Sequence, residues 1–558
     1  MRRKTVLRSV TASMALLSLT ACGIPNLMDA QTAPQTAPNE YPTANVDVAT
    51  APDVEPAYYD SGDLYMYTAN YSLEAKEGLW MYPDENEDYI QMNTEEYSKI
   101  VENIFKDVAT SPLSTFSADV DTASYSNLRR WINMGYSVDQ IPEGAVRAEE
   151  MINYFHYDYK GPEGDDPFGI NAQISDCPWN KEHKLLHLGL QTEAIDFSET
   201  PDSNIVFLVD VSGSMSDDNK LPLVKESFNL LVDNLTEKDT VSIVTYASGV
   251  NVVLDSANGN DKDKIRQAIN GLRAGGGTNG AGGIEEAYKI AEKNFIKDGN
   301  NRVIIASDGD FNIGKTSQSD LSSQIKENAK KGVYLSVLGF GMYNYSDTRM
   351  ETLADDGNGN YAYIDTLHEA KKVLVSELSA NMLTVAKDVK LQVEFNPKYV
   401  AEYRLIGYEN RSLNNEDFND DKKDAGEIGA GHSVTVLYEI VPAGEDSDSS
   451  TELKYQENKL TDEALNSNDW LTLSIRYKEP NEDESKLLEY QIGADYYTDK
   501  PSDDFIFSAA VAEFAMLLRK SDFIADGSFA HIVEELNTIP LNDEYRREFA
   551  TLVDKYNN

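Results

Sequence analysis

Basic residues are scarce in this sequence of 558 residues, and the shortage limits the partners that it can bind. Lysine and arginine together number 49, against 95 aspartates and glutamates, so the formal net charge at pH 7 is −46. A surface with this excess of negative charge repels phosphate backbones and anionic lipid headgroups. The composition therefore argues against nucleic acid as a partner.

Cysteine is almost absent, since the chain has only Cys22 and Cys177. Cys22 has a separate predicted role, described below, so no partner is left for an intrachain disulfide at Cys177. Cys177 also has no histidine close by in sequence that would activate its thiolate, which favours a structural role. The stability of the fold must therefore come from packed cores.

Long hydrophobic runs are also lacking. No later segment reaches the roughly 18 consecutive apolar residues of a membrane-spanning helix, so we expect none. The N-terminus has a shorter apolar run at residues 10–19, preceded by Arg2, Arg3, Lys4 and Arg8. A basic head followed by a short apolar run is typical of a secretion signal.

The signal ends in Leu19-Thr20-Ala21-Cys22, which resembles the bacterial lipobox. The resemblance implies that residues 1–21 are a cleaved signal peptide and that the Cys22 thiol receives a lipid. Because cleavage removes four basic and no acidic residues, the remaining chain needs the lipid even more to stay at an anionic membrane. We expect an extracytoplasmic lipoprotein of the cell envelope, in the outer membrane if the organism has one, because Gly23 carries no acidic retention signal.

The chain then divides by composition into a tether and a first folded region. Residues 22–110 are predicted to be a disordered or irregular acidic tether, because they are rich in Ala, Pro, Thr and Asn and later in Tyr and acidic residues. Residues 111–200 are predicted to be an N-terminal flanking domain. Helical patterns occupy residues 125–131 and 146–155, and a strand-like run occupies residues 185–190.

Between residues 203 and 375, short apolar strands alternate with amphipathic helices. We predict strands at residues 205–209, 240–246, 302–307 and 333–340. One predicted helix presents Val224, Phe228, Leu231 and Leu235 on a single face. This alternation predicts an α/β fold with a doubly wound, mainly parallel sheet that is covered on both faces.

After residue 380 the hydrophobic period becomes two, which predicts a C-terminal β-rich domain at residues 380–500. Residues 501–558 are predicted to be C-terminal helices that pack on it. Two arrangements are open: residues 111–200 and 380–500 form one β-rich domain into which residues 203–375 are inserted, or the regions follow one another like beads. We favour insertion because inserted domains commonly have termini that lie close together.

Oxygen-bearing side chains gather where the first strand of the α/β region ends. Asp210, Ser212 and Ser214 follow this strand directly, at the edge where open α/β sheets place their ligands. Serine hydroxyls with one or two carboxylates suit Mg²⁺, which prefers about six hard oxygen ligands. A cation held by so few charges can still attract a carboxylate from another molecule.

Two later positions make the pattern specific. Thr278 lies in a glycine-rich loop and Asp308 follows the strand at residues 302–307. Together with Asp210, Ser212 and Ser214 they resemble, in residue type, order and spacing, the metal-ion-dependent adhesion site of von Willebrand factor type A domains. The resemblance covers about 170 residues and implies that Ser212 and Ser214 bind the metal directly, while Thr278, Asp210 and Asp308 bind it directly or through water. Residues 116–125 and 419–442 also resemble segments that bracket this domain in a group of bacterial lipoproteins.

These observations predict a membrane-anchored, metal-dependent adhesion or assembly module that binds an acidic group of a protein partner through Mg²⁺, with Mn²⁺ or Ca²⁺ as alternatives. Two other functions remain open. A metal-dependent hydrolase would need a base beside the metal-bound water, for which Asp310 is the local candidate. A structural envelope protein would carry the site as a vestige. We expect no enzymatic activity.

Overall fold

The computed structural model describes residues 95–118, 121–164, 166–195, 201–309, 318–377, 383–444 and 460–557. The predicted signal peptide, the predicted lipidation site Cys22, most of the predicted tether and Asp310 lie outside these residues. Within the described ranges, no helix is both long enough and apolar enough to span a membrane.

The strands of the described residues are numbered in chain order. They are β1 Lys106–Asp107, β2 Leu113–Ser117, β3 Phe168–Cys177, β4 Asn180–Thr192, β5 Ser203–Asp210, β6 Thr240–Tyr246, β7 Val250–Asn258, β8 Asn300–Ser307, β9 Val333–Phe340, β10 Tyr361–Ile364, β11 Thr384–Phe395, β12 Val400–Ile406, β13 Gly426–Gly429, β14 Ser433–Pro442, β15 Asp469–Lys478 and β16 Lys486–Gly493.

The α-helices of the same residues are α1 Ala123–Asn133, α2 Ala148–Asn153, α3 Leu221–Asn234, α4 Lys262–Gly271, α5 Gly280–Lys293, α6 Gln318–Lys330, α7 Asp347–Asp356, α8 Leu367–Lys371, α9 Asp462–Asn466, α10 Asp503–Arg519, α11 Phe529–Leu536 and α12 Glu544–Asp554. A π-helical turn at Lys372–Ser376 follows α8, and short 3₁₀ turns, including Gly213–Ser216, join several elements.

Residues 203–376, here called the central unit, form a sheet in the order β10-β9-β8-β5-β6-β7. Neighbouring strands are parallel except for the β6–β7 pair, which is antiparallel. Alternate residues of β5 enter different cores: Phe207 packs against Phe228 of α3, and Leu208 lies in the cluster that contains Ile284 of α5. Burial of both faces explains why residues 205–209 of β5 are all apolar, and the predicted doubly wound fold is confirmed.

The segments before and after the central unit, together called the flanking unit, share two antiparallel sheets. One sheet has the order β1-β12-β14-β4-β3, in which Leu186 of β4 pairs with Tyr438 of β14. The other has the order β13-β11-β15-β16, and β2 also pairs with β11, with Phe116 opposite Leu391. Strands from both sides of the insertion therefore build one core, which is the interrupted β-rich arrangement rather than a row of beads.

The C-terminal helices complete the flanking unit. Helix α10 is buried on nearly every face, and it packs with α2, α11 and the sheet residues Leu185, Ile406 and Leu437. Ser502 caps its N-terminus by accepting a hydrogen bond from the Phe505 amide at 3.2 Å. The C-terminal helices thus pack on the β-rich region, as the sequence predicts, and also on α1 and α2.

The predicted tether ends earlier than residue 110. Strand β1 pairs with β12 through Lys106 and Tyr403, and Glu95 forms an ion pair with Arg130 of α1 at 2.7 Å. Residues 95–110 have little regular secondary structure, which explains why their sequence was assigned to the tether. Their contacts nevertheless place them along the folded body.

Candidate metal site

The two predicted carboxylate ligands lie at the same edge of the central sheet. Asp210 is the last residue of β5, and Asp308 directly follows β8, the parallel neighbour of β5. Parallel neighbouring strands end at the same edge, so the two residues are brought together although 98 positions separate them in sequence. Both side chains are completely buried.

Hydrogen bonds fix the orientation of the Asp210 carboxylate. Its Oδ1 accepts from the Ser212 amide at 2.8 Å, and its Oδ2 accepts from the Ser307 hydroxyl at 3.3 Å. Burial raises the pKa of Asp210 to about 6, and the charge of Asp308 adds to this effect, while hydrogen bonds from Ser212 lower it. Two carboxylates in a water-poor site repel each other, which favours a bound cation.

The two serines reach the site from the loop after β5. Ser212 has an extended backbone and precedes the 3₁₀ turn Gly213–Ser216, so the chain reverses direction there. The hydroxyl oxygens of Ser212 and Ser214 lie 3.0 Å apart and share a hydrogen bond. Two neutral oxygen donors therefore lie side by side next to the Asp210 carboxylate.

The glycine-rich loop brings Thr278 to this edge. The Gly275 amide donates to the Val211 carbonyl at 2.8 Å, and the Gly213 amide donates to the Gly276 carbonyl at 2.9 Å. Gly276 has a φ of +86°, and a Cβ there would lie 2.8 Å from the Ser248 hydroxyl, so a side chain would strain the loop. Thr278 is half-buried, and among the described residues its hydroxyl forms no hydrogen bond with the other four predicted ligands.

Lys220 is a member of the site that sequence reasoning missed. It directly precedes α3 and is nearly buried, and its Nζ lies 2.9 Å from Asp308 Oδ2 and 3.0 Å from Asn344 Oδ1. Asn344 Nδ2 also donates to Asp308 Oδ2 at 3.0 Å. A lone lysine before a helix carries no pattern that predicts a contact with a carboxylate 88 residues later.

The set of oxygen donors fits a hard cation that needs few negatively charged ligands from the protein. It offers two carboxylates and neutral hydroxyls, and the described residues contain no group of three or more His, Cys, Asp or Glu side chains that could hold a metal. Softer metals prefer thiolate or imidazole ligands, whereas Mg²⁺ accepts oxygen ligands and retains water. Lys220 supplies one positive charge to Asp308, so the site balances its charge in part from within the protein.

Comparison with known proteins shows which family the chain belongs to. Models of the von Willebrand factor type A domain, of von Willebrand factor and of the C-terminal region of uncharacterized protein YfbK match residues 204–376, 91–187 and 380–558. Uncharacterized protein YfbK of Escherichia coli K12 is 42% identical over 470 residues, which cover 83% of this chain and 81% of that protein. The chain belongs to the YfbK family of von Willebrand factor type A domain proteins.

More distant relatives share smaller parts of the chain or lower identity. Human inter-alpha-trypsin inhibitor heavy chain H4 is 27% identical over 172 residues, which cover 29% of this chain and 18% of that protein. A solved von Willebrand factor type A structure from Catenulispora acidiphila is 16% identical and covers 64% of this chain and 80% of that chain, with a TM-score of 0.37. Family membership supports a role in adhesion or assembly.

Proposed function

We propose that this protein is a lipid-anchored binding module that holds an acidic group of a protein partner through a divalent cation, preferentially Mg²⁺. Asp210, Ser212, Ser214, Thr278 and Asp308 would hold the cation, and the partner's carboxylate would supply a further ligand. The proposed role is binding without turnover.

One observation carries this proposal. Two buried carboxylates and a pair of adjacent hydroxyls converge at the carboxyl edge of the central sheet, where the chain runs into exposed loops at Gly213 and at residues 275–277. The two carboxylates formally balance a divalent cation, so the Lys220 ammonium beside Asp308 leaves the site with one excess positive charge. It would therefore attract an anionic group from outside.

Capture of a partner from a cell-envelope extract tests the function. The full chain should retain a partner in Mg²⁺ and release it in EDTA, and Thr278→Ala should weaken capture because one ligand is lost. Ser256→Ala, an exposed serine on β7 far from the loop, is the matched control and should capture normally. Equal capture of the partner in Mg²⁺ and in EDTA would refute metal-dependent binding.

The anchor needs its own test. Lipid attachment requires the Cys22 thiol, so Cys22→Ser should abolish lipid labelling and release the protein from the membrane fraction. Cys177→Ser is the control, because Cys177, the last residue of β3, is buried and cannot be a lipid acceptor in the folded protein. Retention of the Cys22 variant in membranes would show that another anchor exists.

A further inference from the structure

A cavity of about 270 Å³ lies between the central unit and the flanking unit. Its walls include residues of β8, β9, β10 and the π-helical turn on one side, and Asn153, His156 and residues 430–433 on the other. Since a water molecule occupies roughly 30 Å³ in the liquid, the space suits a small organic molecule better than a single ion.

Arg302 of β8 lines this cavity and is unusual among the buried arginines. It is only 2% exposed, yet it forms no ion pair with any carboxylate of the described residues. Its Nη1 donates to the Ser336 hydroxyl at 2.7 Å, its Cζ lies 5.6 Å from the centre of the Tyr334 ring, and its Nε has no hydrogen-bond partner in the described structure. By contrast, Arg147 contacts three carboxylates.

The charge of Arg302 persists at neutral pH. Burial lowers the pKa of Arg302 to about 10, opposed by Tyr334 and the charge of Glu427. Glu427 accepts a hydrogen bond from Asn358 Nδ2 and forms no ion pair with Arg302. A buried cation without a paired anion is costly, so an anion that enters the cavity would be stabilised there.

A second polar group faces the same space. His432, in the turn before β14, is half-buried, and its Nδ1 is buried without a hydrogen-bond partner among the described residues. Burial lowers the pKa of His432, so the ring is neutral at pH 7 and can donate one N–H. Glu377, an acidic residue of the lining, is neutralised by Lys372 at 2.5 Å.

The remaining wall is largely hydrocarbon. Leu231 of α3, alternate residues of β8 and β9, and the π-helical turn contribute it; the side chains are Leu231, Ile304, Leu338, Ala362, Val373 and Leu374. Arg302 and Ser336 precede Ile304 and Leu338 by two residues on the same strand faces. The cavity thus has a cationic end and an apolar body.

We propose that this cavity binds a small monocarboxylate with a short apolar chain. The carboxylate lies against Arg302 and accepts a hydrogen bond from His432, and the chain lies along the leucine and valine side chains. Arg302 lies in β8 and Asp308 directly follows this strand, six residues or about 20 Å further along the extended chain, so this site is separate from the candidate metal site.

Titration calorimetry of the full chain in EDTA tests the proposal, with hexanoate as the probe and hexan-1-ol as its uncharged counterpart. Hexanoate should bind saturably, and Arg302→Met should weaken it at least tenfold. His432→Ala, a change in a half-buried turn that the fold can absorb, should weaken it severalfold. Arg266→Met, which removes a half-buried arginine of α4 that pairs with Asp233 and does not line the cavity, should leave binding unchanged.

Several results would overturn the assignment. The first is the absence of saturable hexanoate binding to the wild-type chain. The second is a wild-type affinity for hexan-1-ol equal to that for hexanoate. The third is a hexanoate affinity of the His432→Ala variant equal to that of the wild type. Binding of inorganic phosphate but not of hexanoate would refute the claim that the apolar wall of the cavity binds the hydrocarbon chain of the ligand. If Arg302→Met does not fold, His432→Ala and the hexanol comparison still decide the outcome.

Discussion

At the scale of single residues, Lys220 is the buried positive charge closest to the proposed metal site. Its ammonium group lies against Asp308 Oδ2, and Asp210 is buried beside the same carboxylate. One lysine therefore balances part of the charge that a cation would otherwise neutralise. We expect Lys220 and the metal to be partial substitutes for each other.

Replacing Lys220 with methionine tests this relation. Without the ammonium, the unfolding free energy in EDTA should fall by about 3 kcal/mol, because a buried carboxylate loses its partner. Mg²⁺ should bind about tenfold more tightly, since a repelling positive charge is gone. Denaturation in EDTA and calorimetry with Mg²⁺ measure the two effects.

Lys225→Met on the same helix is the control for this change. The Lys225 Nζ donates to the Leu272 carbonyl at 2.6 Å and contacts no carboxylate of the described residues, so its replacement should leave the Mg²⁺ affinity unchanged. Unaltered Mg²⁺ affinity in Lys220→Met itself would mean that Lys220 does not share charge with the site.

The buried Glu149 predicts how the stability of the fold changes with pH. Burial, reinforced by the charge of Glu409, raises the pKa of its carboxyl from 4.5 to about 7, and its Oε2 has no hydrogen-bond partner among the described residues. Because the folded pKa exceeds the unfolded one, ionisation opposes folding. The contribution of this group to stability is therefore present below pH 4.5 and is lost as the pH rises to about 7.

Glu149→Gln should remove this loss. The variant should be about 3 kcal/mol more stable than the wild type at pH 8 and nearly equal to it at pH 4.5, because raising the pKa of Glu149 from 4.5 to about 7 costs about 1.36 kcal/mol for each pKa unit. Urea denaturation at both pH values measures the difference. The exposed Glu226→Gln is the control, and an equal pH dependence of Glu149→Gln and the wild type would contradict the account.

At the scale of elements, the flanking unit depends on strands from both ends of the chain. β14 pairs with β4 and β12, and β11 pairs with β2 and β15. Separation of the two ends would leave β14 and β11 each with an unpaired edge and half of a core.

Expression of separate fragments tests the shared sheets. Residues 203–376 should fold alone, whereas residues 380–558 should show weak amide protection in β11 and β14, and addition of residues 95–200 should restore it. Hydrogen exchange followed by mass spectrometry measures protection strand by strand. Strong protection of β14 in the isolated C-terminal fragment would contradict a shared core.

Periodicity predicted the elements that are buried on one or both faces. The predicted bounds of β6 and β9 match the structure, and those of β5 and β8 differ by two residues or fewer. Periodicity did not predict β7, an edge strand whose residues are mostly exposed, or β10, which has only four residues. Neither strand has enough apolar alternation to produce a signal.

The candidate metal site also contains residues that a local sequence pattern predicts and residues that it does not. Asp210, Ser212 and Ser214 are close in sequence, and the strand order explains how Asp308 joins them. Lys220 and Asn344 act through contacts between distant segments, which no local pattern encodes. The position of Arg302 was equally hidden from sequence patterns, because only the fold shows that no carboxylate of the described residues forms an ion pair with it.

At the scale of the whole molecule, buried ion pairs join the central unit to the flanking unit. Arg129 of α1 contacts Asp365 and Glu369, and Arg147 contacts Asp347 and Glu351 of α7. Such pairs lose much stability when one partner is removed, so they resist separation of the two units. A pull on the metal site would therefore be transmitted to the flanking sheets through these pairs as well as through the two chain connections.

The metal site itself is the central claim, and the response of the melting temperature to Mg²⁺ tests it most directly. A cation that binds only the folded state stabilises it by about 2.7 kcal/mol at one hundred times the dissociation constant. The wild-type chain and Asp217→Ala, which changes an exposed aspartate beside the site, should melt at a higher temperature as Mg²⁺ is added to EDTA-treated protein. Asp210→Ala should show no Mg²⁺ response; a response equal to that of the wild type would contradict the account.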